Sequence, residues 1–212
     1  MRVVLFITVF VVAVRSWADI GAVAMPDKWS AEAAEGVLLD GGNAVDAAIA
    51  ATFVLAVTYP EAGNIGGGGF MTSYVDGEAA FLDFRERAPA LAHRDMYLDE
   101  GGNFQQRMSI VGGKASGVPG TVKGMWAAHQ RYGSLSWKRL LQPAIQLAAE
   151  GFIVPQSLAE MASEKITEDA GETNFHKYFG NMRAGERFKQ PELAVTLGLI
   201  AEDAQSFYTG LP

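Results

Sequence analysis

One hydrophobic segment dominates the pattern of apolar and polar positions along the chain. The stretch "NAVDAAIAATFVLAVT", residues 43–58, is apolar on nearly every face of a helix and is interrupted only by Asp46 and two threonines. A helix that is apolar all round is buried on every side rather than lying at a surface. The pattern therefore predicts a central buried helix over 43–58, ended by Tyr59-Pro60 because proline does not continue a helix.

Two shorter apolar segments follow this helix. "FMTSYV" and "EAAFLDF" flank Asp76-Gly77, and an Asp-Gly pair between strand-like segments is the strongest short-range hairpin signal in a sequence. We expect two antiparallel strands there. A hairpin that follows a buried helix predicts a sheet with helices packed on its face, which is a mixed α/β (α+β) fold.

Capping and breaking residues predict the other helices. One is expected from an N-cap at Ser30 to about Asp40, one over "GVPGTVKGMWAAHQRYG" up to Gly133, one over "WKRLLQPAIQLAAEG" from an N-cap at Ser136 to Gly151 with Pro143 kinking or splitting it, and one from about Glu192 to Asp203. Residues 163–190 are polar, rich in turn residues and poor in periodicity. That stretch is a candidate excursion, and nothing in the sequence marks a second domain.

The first 18 residues have the pattern of a secretory signal peptide. Arg2 is a short basic region, the apolar run from Val3 to Val14 follows it, and Ser16-Trp17-Ala18 is a small-x-small cleavage site. The apolar run is too short to span a bilayer. We expect export to the periplasm or the medium, with a mature chain of residues 19–212; the alternative is a buried N-terminal helix or strand.

Composition excludes several classes of function. The chain has 212 residues, 49% of them hydrophobic and 19% charged, and its net charge is −7 without any basic block. A nucleic-acid-binding surface needs clustered Lys and Arg, so no nucleic-acid partner is expected. The chain has no cysteine, and its three histidines are far apart in the sequence. No metal site and no disulfide are therefore predicted.

Four consecutive glycines, Gly66–Gly69 in "AGNIGGGGFM", raise the question of a phosphate-binding loop. A dinucleotide fingerprint follows a strand and opens a helix, whereas these glycines follow a helix and open a strand. A Walker loop needs Gly-Lys-Ser/Thr, and Gly113-Lys114 is followed by Ala115. We therefore interpret Gly66–Gly69 as positions where backbone approaches backbone too closely for a Cβ atom.

Hydrolase motifs that lie within one segment are absent or weak. Gly-x-Ser-x-Gly does not occur, so no nucleophile elbow is predicted. The candidates for a catalytic pair of carboxylates are Asp83, Glu86, Asp95 and Asp99, but pairs of acidic residues are common on solvated surfaces. A glycosidase-like pair is therefore not favoured.

Arg85, in "FLDFRERAPA", is the most informative charged residue. It lies just after a hydrophobic strand, between Asp83 and Glu86, and just before a loop. A guanidinium can present two parallel N–H groups to a carboxylate, which a lysine cannot match. The residues alone leave two roles open for Arg85, a carboxylate-binding group or one half of a structural salt bridge.

Four ordered blocks between residues 41 and 152 resemble the γ-glutamyltranspeptidase family. They are "GGNAVDAAIAATFVLAVTYPEAGNIGGGGFM", "DFRERAPALAHRDMYLD", "ASGVPGTVKGMWAAHQRYG" and "LLQPAIQLAAEGF", with weaker similarity at "AQSFYTG". The blocks match the start of the family's large subunit. Four motifs in one order are far more specific than any single motif.

The resemblance implies an N-terminal-nucleophile hydrolase with an αββα sandwich. Family precursors cut themselves to expose a threonine at the start of a small subunit, and the free amine of that threonine activates its own hydroxyl. The threonine takes the γ-glutamyl group from glutathione or a related amide, and water, an amino acid or a peptide then accepts it. No cofactor is implied. The family's Asp-Phe-Arg-Glu arginine binds the substrate α-carboxylate, which assigns that role to Arg85.

One departure from the family pattern concerns the nucleophile. The family's Thr-Thr-His stretch does not occur in these 212 residues, so no catalytic residue is predicted within the chain and the chain alone is expected to be inactive. Two other functions stay open: a secreted non-catalytic remnant or binding module of the same fold, and a related acylase for another amide, such as one with a glutaryl side chain.

Overall fold

The structure, a computed structural model, describes residues 21–169 and 171–210. The predicted signal peptide and its cleavage site lie outside the described residues. In chain order the elements are α1 (Lys28–Leu39), α2 (Ala44–Thr58), β1 (Phe70–Val75), β2 (Glu78–Asp83), a 3₁₀ turn (Gln106–Ser109), α3 (Thr121–Tyr132), α4 (Trp137–Glu150), β3 (Phe152–Ile153), α5 (Gln156–Asp169), α6 (Phe175–Phe179), β4 (Arg187–Phe188), α7 (Pro191–Glu202) and α8 (Ser206–Thr209).

Helix α2 is the centre of the core, as its composition predicts. Its side chains are buried or half-buried except at Ala44, and α1 and α4 pack along it while α7 packs along α4. The Phe53 ring meets Trp137 of α4 edge to face, with ring centroids 5.4 Å apart. Burying a large apolar side chain of this kind contributes about 1.5–3 kcal/mol, so α2 is stabilised mainly by its neighbours.

Helix α1 begins earlier than the sequence predicts. Its N-cap is Asp27, not Ser30, and Asp27 Oδ1 accepts a hydrogen bond from the Ser30 backbone N–H at 2.7 Å. The Ser30 hydroxyl donates to the same carboxylate oxygen at 2.8 Å. Aspartate is at least as good an N-cap as serine, and the Asp27 carboxylate also accepts a hydrogen bond from Thr58 of α2. This second contact joins the two helices and favours the earlier start.

The predicted hairpin is confirmed. Strands β1 and β2 are antiparallel, with Val75 opposite Glu78 and Phe70 opposite Asp83. Asp76 and Gly77 both have positive φ, 53° and 85°, as a two-residue turn of the primed type requires.

The later helices follow the prediction, except that Pro143 does not split α4 and that residues 163–190 contain more helix than expected. Helix α3 ends at Gly133, and α4 runs from the Ser136 N-cap to Gly151 as a single helix with Pro143 inside it. The stretch from 163 to 190 is less irregular than predicted, because α5 continues to Asp169. Tertiary packing stabilises that helix: Leu158 and Ala162 on one face are buried in the common core. Within the described residues, no helix is long and apolar enough to cross a membrane.

Candidate functional site

Strand β2 carries the chain from the core to Arg85. The last strand contact is the Phe84 N–H, which donates to Gly69 O at 3.0 Å. The Arg85 N–H then donates to the Asp83 carboxylate at 3.0 Å. Two residues later, Arg87 exchanges backbone hydrogen bonds with Val118. Arg85 therefore lies on a short segment that is fixed at both ends.

The predicted close approach of backbone to backbone is confirmed at Gly68, whereas Gly67 and Gly69 lie close to side chains. A Cβ atom at Gly68 would lie 2.5 Å from Phe84 O, one at Gly69 would lie 3.0 Å from the Phe84 ring, and one at Gly67 would meet the Asn64 side chain. A Cβ atom at Gly66 would meet nothing within 4 Å, so the prediction is wrong there. The backbone of Gly67–Gly69 packs against the segment that bears Arg85.

The Arg85 guanidinium has N–H donors at its two terminal nitrogens that are available to a ligand. Its side chain is 62% exposed, and its Nε lies 3.4 Å from Glu86 Oε2. The guanidinium carbon is 5.7 Å from the centroid of the exposed Phe70 ring. Among the described residues, no hydrogen bond or ion pair involves the two terminal nitrogens of Arg85. The weak pair with Glu86 thus leaves the forked end of the side chain facing outward.

Glu86 is stabilised as an anion. The hydrogen bond from its own backbone N–H lowers the pKa of the Glu86 carboxyl below its usual value, and Arg85 and the Gly68 N–H lower it further. Glu86 is therefore ionised at neutral pH and available to orient the Arg85 side chain through Nε. Because both side chains are exposed, this pair contributes little to stability.

A groove of about 320 Å³ lies beside Arg85. It is lined by Leu82, Asp83, Phe84, Arg85, Arg87, Val118, Pro119, Gly120, Lys123, Gly124, Ala127 and Tyr208. Three of these residues are cationic and one is acidic, so the groove favours an anionic ligand.

Sequence reasoning did not identify the other polar lining residues. Tyr208 Oη accepts a hydrogen bond from the Lys123 backbone N–H at 2.9 Å, and burial raises the pKa of the Tyr208 phenol, so this hydroxyl also remains a donor. Arg87 lies two residues after Arg85, whereas Lys123 and Tyr208 come from distant segments, and only folding brings these two to Arg85. The one sequence clue to Tyr208 was the weaker family block "AQSFYTG" in which it lies.

The four acidic residues considered in the sequence are used locally. Asp83 and Glu86 contact the Arg85 backbone and side chain, and Asp95 pairs with the exposed Arg94. Asp99 accepts from the backbone of Gly101 and Asn103 in its own loop. Across residues 21–169 and 171–210, no group of His, Asp and Glu side chains could hold a metal ion.

Comparison with protein families gives a match over most of the chain. The family profile described as "Gamma-glutamyltranspeptidase" matches residues 30–211. A glutathione hydrolase proenzyme of Pseudomonas aeruginosa is 54% identical over 193 residues, which is 91% of this chain and 35% of that protein. A glutathione hydrolase proenzyme of Escherichia coli is 42% identical over 90% of this chain and 34% of its own length. The chain thus spans about a third of these curated relatives.

Solved structures agree with the sequence comparison. A γ-glutamyltranspeptidase from Pseudomonas nitroreducens, complexed with L-DON, superposes with a TM-score of 0.88 at 56% identity, over 91% of this chain and 58% of that one. The Helicobacter pylori γ-glutamyltranspeptidase gives 0.86 at 40% identity, over 91% and 57% of the two chains. These likenesses confirm the predicted N-terminal-nucleophile hydrolase fold class. The chain belongs to the γ-glutamyltranspeptidase family.

Proposed function

We propose that the chain forms the first part of the large subunit of a γ-glutamyltransferase and glutathione hydrolase, and that Arg85 binds the α-carboxylate of the γ-glutamyl donor. The observation that carries this proposal is the outward-facing, unpaired fork of Arg85 beside a cationic groove, in a chain that matches the family over residues 30–211. The names of the relatives support the donor, since they are glutathione hydrolase proenzymes.

In this function the chain supplies recognition rather than bond breaking. The two terminal nitrogens of Arg85 donate parallel hydrogen bonds to the α-carboxylate, while Glu86 holds Nε and so limits rotation of the guanidinium. The donor is thereby oriented with its γ-amide toward the nucleophile. The nucleophile is the threonine that begins the small subunit, which forms the γ-glutamyl intermediate and passes it to water, an amino acid or a peptide. We propose no cofactor for these steps.

Replacing Arg85 with lysine tests the carboxylate role. In a processed precursor that contains this chain, Arg85→Lys keeps the charge but loses the fork, so we expect transition-state and substrate binding to weaken by about 1.5–3 kcal/mol, the range for charge-assisted hydrogen bonds. The measurement is kcat/KM with a γ-glutamyl anilide. Arg94→Lys is the matched control, because the Arg94 side chain is 96% exposed. Unchanged kinetics of the Arg85→Lys enzyme would refute the role.

Two substrate analogues test which group of the substrate Arg85 recognises. A 4-aminobutyryl anilide lacks the α-carboxylate, so its kinetics should be nearly the same with arginine or lysine at position 85. A glutaryl anilide retains the carboxylate but lacks the α-amine, and a faster rate with it than with the γ-glutamyl anilide would favour the acylase. That alternative has some structural support, because a cephalosporin acylase of Bacillus halodurans superposes with a TM-score of 0.75 at 26% identity.

A further inference from the structure

The segment that bears Arg85 is enclosed by glycines from two distant parts of the chain. Gly68 approaches from the glycine loop, where a Cβ atom would lie 2.8 Å from the Arg85 Cα. Gly120 and Gly124 approach from the start of α3, and a Cβ atom at either position would overlap Phe84. Gly68, Gly120 and Gly124 are here called the Phe84 clamp. No larger residue fits at Gly68 or Gly120 unless the Phe84–Arg85 backbone moves, and none fits at Gly124 unless the Phe84 side chain moves.

Hydrogen bonds hold the two sides of the clamp together. Gly67 O accepts from the backbone N–H groups of Gly120, at 2.7 Å, and Thr121, at 3.1 Å. The side-chain oxygen of Asn64 accepts from the Gly67 N–H at 2.7 Å and from the Thr121 hydroxyl at 2.9 Å. Thr121 is only 3% exposed. Its hydroxyl is therefore the one side-chain donor from α3, among the described residues, that reaches Asn64.

We propose that Thr121 is a positioning residue for γ-glutamyl donors, acting through the Phe84 clamp on the direction of the Arg85 guanidinium. The inference rests on the proposed function of Arg85. A donor bound by two parallel hydrogen bonds is sensitive to displacement, since shifts on the order of 1 Å can cost large factors in rate. Together with the two backbone bonds to Gly67 O, the Thr121–Asn64 hydrogen bond holds the glycine loop at a set distance from α3, and that distance positions Phe84 and the start of Arg85.

Thr121→Val tests the proposal because valine keeps the shape of threonine and loses its hydroxyl. In a processed precursor that contains this chain, we expect the KM for a γ-glutamyl anilide to rise about fivefold, the value of one ordinary hydrogen bond, with kcat within about twofold. Thr121→Ser restores the donor and should return KM to within about twofold of the original. Thr167→Val is the control, because Thr167 is exposed and its hydroxyl bonds, among the described residues, only to the Ser163 carbonyl within α5.

A merely structural role for Thr121 gives a different result. It would lower the active fraction, and therefore the apparent kcat, while KM stayed the same; that outcome overturns the proposal. If the Thr121→Val protein does not fold, Asn64→Ala removes the same hydrogen bond from the half-buried loop, and the same increase in KM is expected.

The double variant separates this proposal from the function on which it rests. With lysine at position 85 there is no fork to misplace, so Thr121→Val should add less than about twofold to KM, as expected for residues that act as one unit. An Arg85→Lys enzyme with an unchanged KM rejects the carboxylate role itself. An increase in KM for Arg85→Lys, combined with fully additive effects of the two substitutions, rejects only the positioning role of Thr121.

Discussion

Asp46 illustrates how one buried residue organises this chain. It is fully buried, and its carboxylate accepts hydrogen bonds from the Asn43 N–H at the start of α2 and from the N–H groups of Ser134 and Leu135 in the loop between α3 and α4. The Ser134 hydroxyl donates to it as well, at 2.5 Å. A carboxylate with this many donors is satisfied without a cationic partner.

Removing that carboxylate should destabilise the fold. We expect Asp46→Ala to lower the free energy of unfolding by about 1–3 kcal/mol or more, because it removes the buried acceptor of the Asn43, Ser134 and Leu135 N–H groups and half of the α2 capping box. Urea unfolding of a folded protein that contains this chain measures the change. Asp95→Ala is the control, since among the described residues the exposed Asp95 carboxylate pairs only with the exposed Arg94, and its loss should change stability by less than about 0.5 kcal/mol. Equal effects of the two substitutions would contradict the role assigned to Asp46.

At the scale of elements, the sequence alone predicts a helix or hairpin correctly where local residues determine the backbone conformation. The hairpin follows from Asp76-Gly77, since few residues other than glycine readily adopt the positive φ that such a turn requires. The α2 helix follows from its apolar composition. By contrast, the start of α1 depends on a contact between Asp27 and Thr58, which are 31 positions apart, and the first half of α5 is held by burial of Leu158 and Ala162.

At the scale of the whole molecule, none of the described residues covers one face of the hairpin. Phe70, Tyr74 and Phe81 lie on the same side of the two strands and are 56%, 75% and 65% exposed. Exposed apolar patches of this kind usually mark a surface that another element or protein covers. In the proposed function, strands of the small subunit pack there, close to Arg85.

The 212-residue chain by itself is expected not to cleave a γ-glutamyl anilide. Arg85 is expected to bind the substrate and the transition state about equally, and such uniform binding does not accelerate the chemical step. The uncovered hairpin should also make the isolated chain aggregate. The measurements are the initial rate against a buffer blank and the elution volume in size-exclusion chromatography. Turnover that survives repurification would indicate an unrecognised active site, and a compact soluble monomer would favour the binding module.

Export is a separate prediction about the whole chain. We propose that residues 1–18 act as a signal peptide, because the apolar run after Arg2 ends at a small-x-small site. Expressed in a bacterium, the product should be found in the periplasm with Asp19 as its N-terminus, as determined by N-terminal sequencing. An intact Met1 terminus in the cytoplasm would disprove this.

The sequence by itself determined the elements whose conformation is local, namely α2, the hairpin and the ends of α3 and α4, and four ordered blocks were specific enough to indicate the family. It also singled out Arg85, because a guanidinium between two acids at a strand end is a distinctive local pattern. Only the tertiary structure decided what surrounds that residue. Gly68 and Gly120 are 52 positions apart, yet both lie against Phe84. The conformational preferences of the two separate segments do not predict such a contact. Close packing between segments distant in sequence, rather than the properties of any one segment, sets the position of the Phe84–Arg85 backbone from which the guanidinium extends.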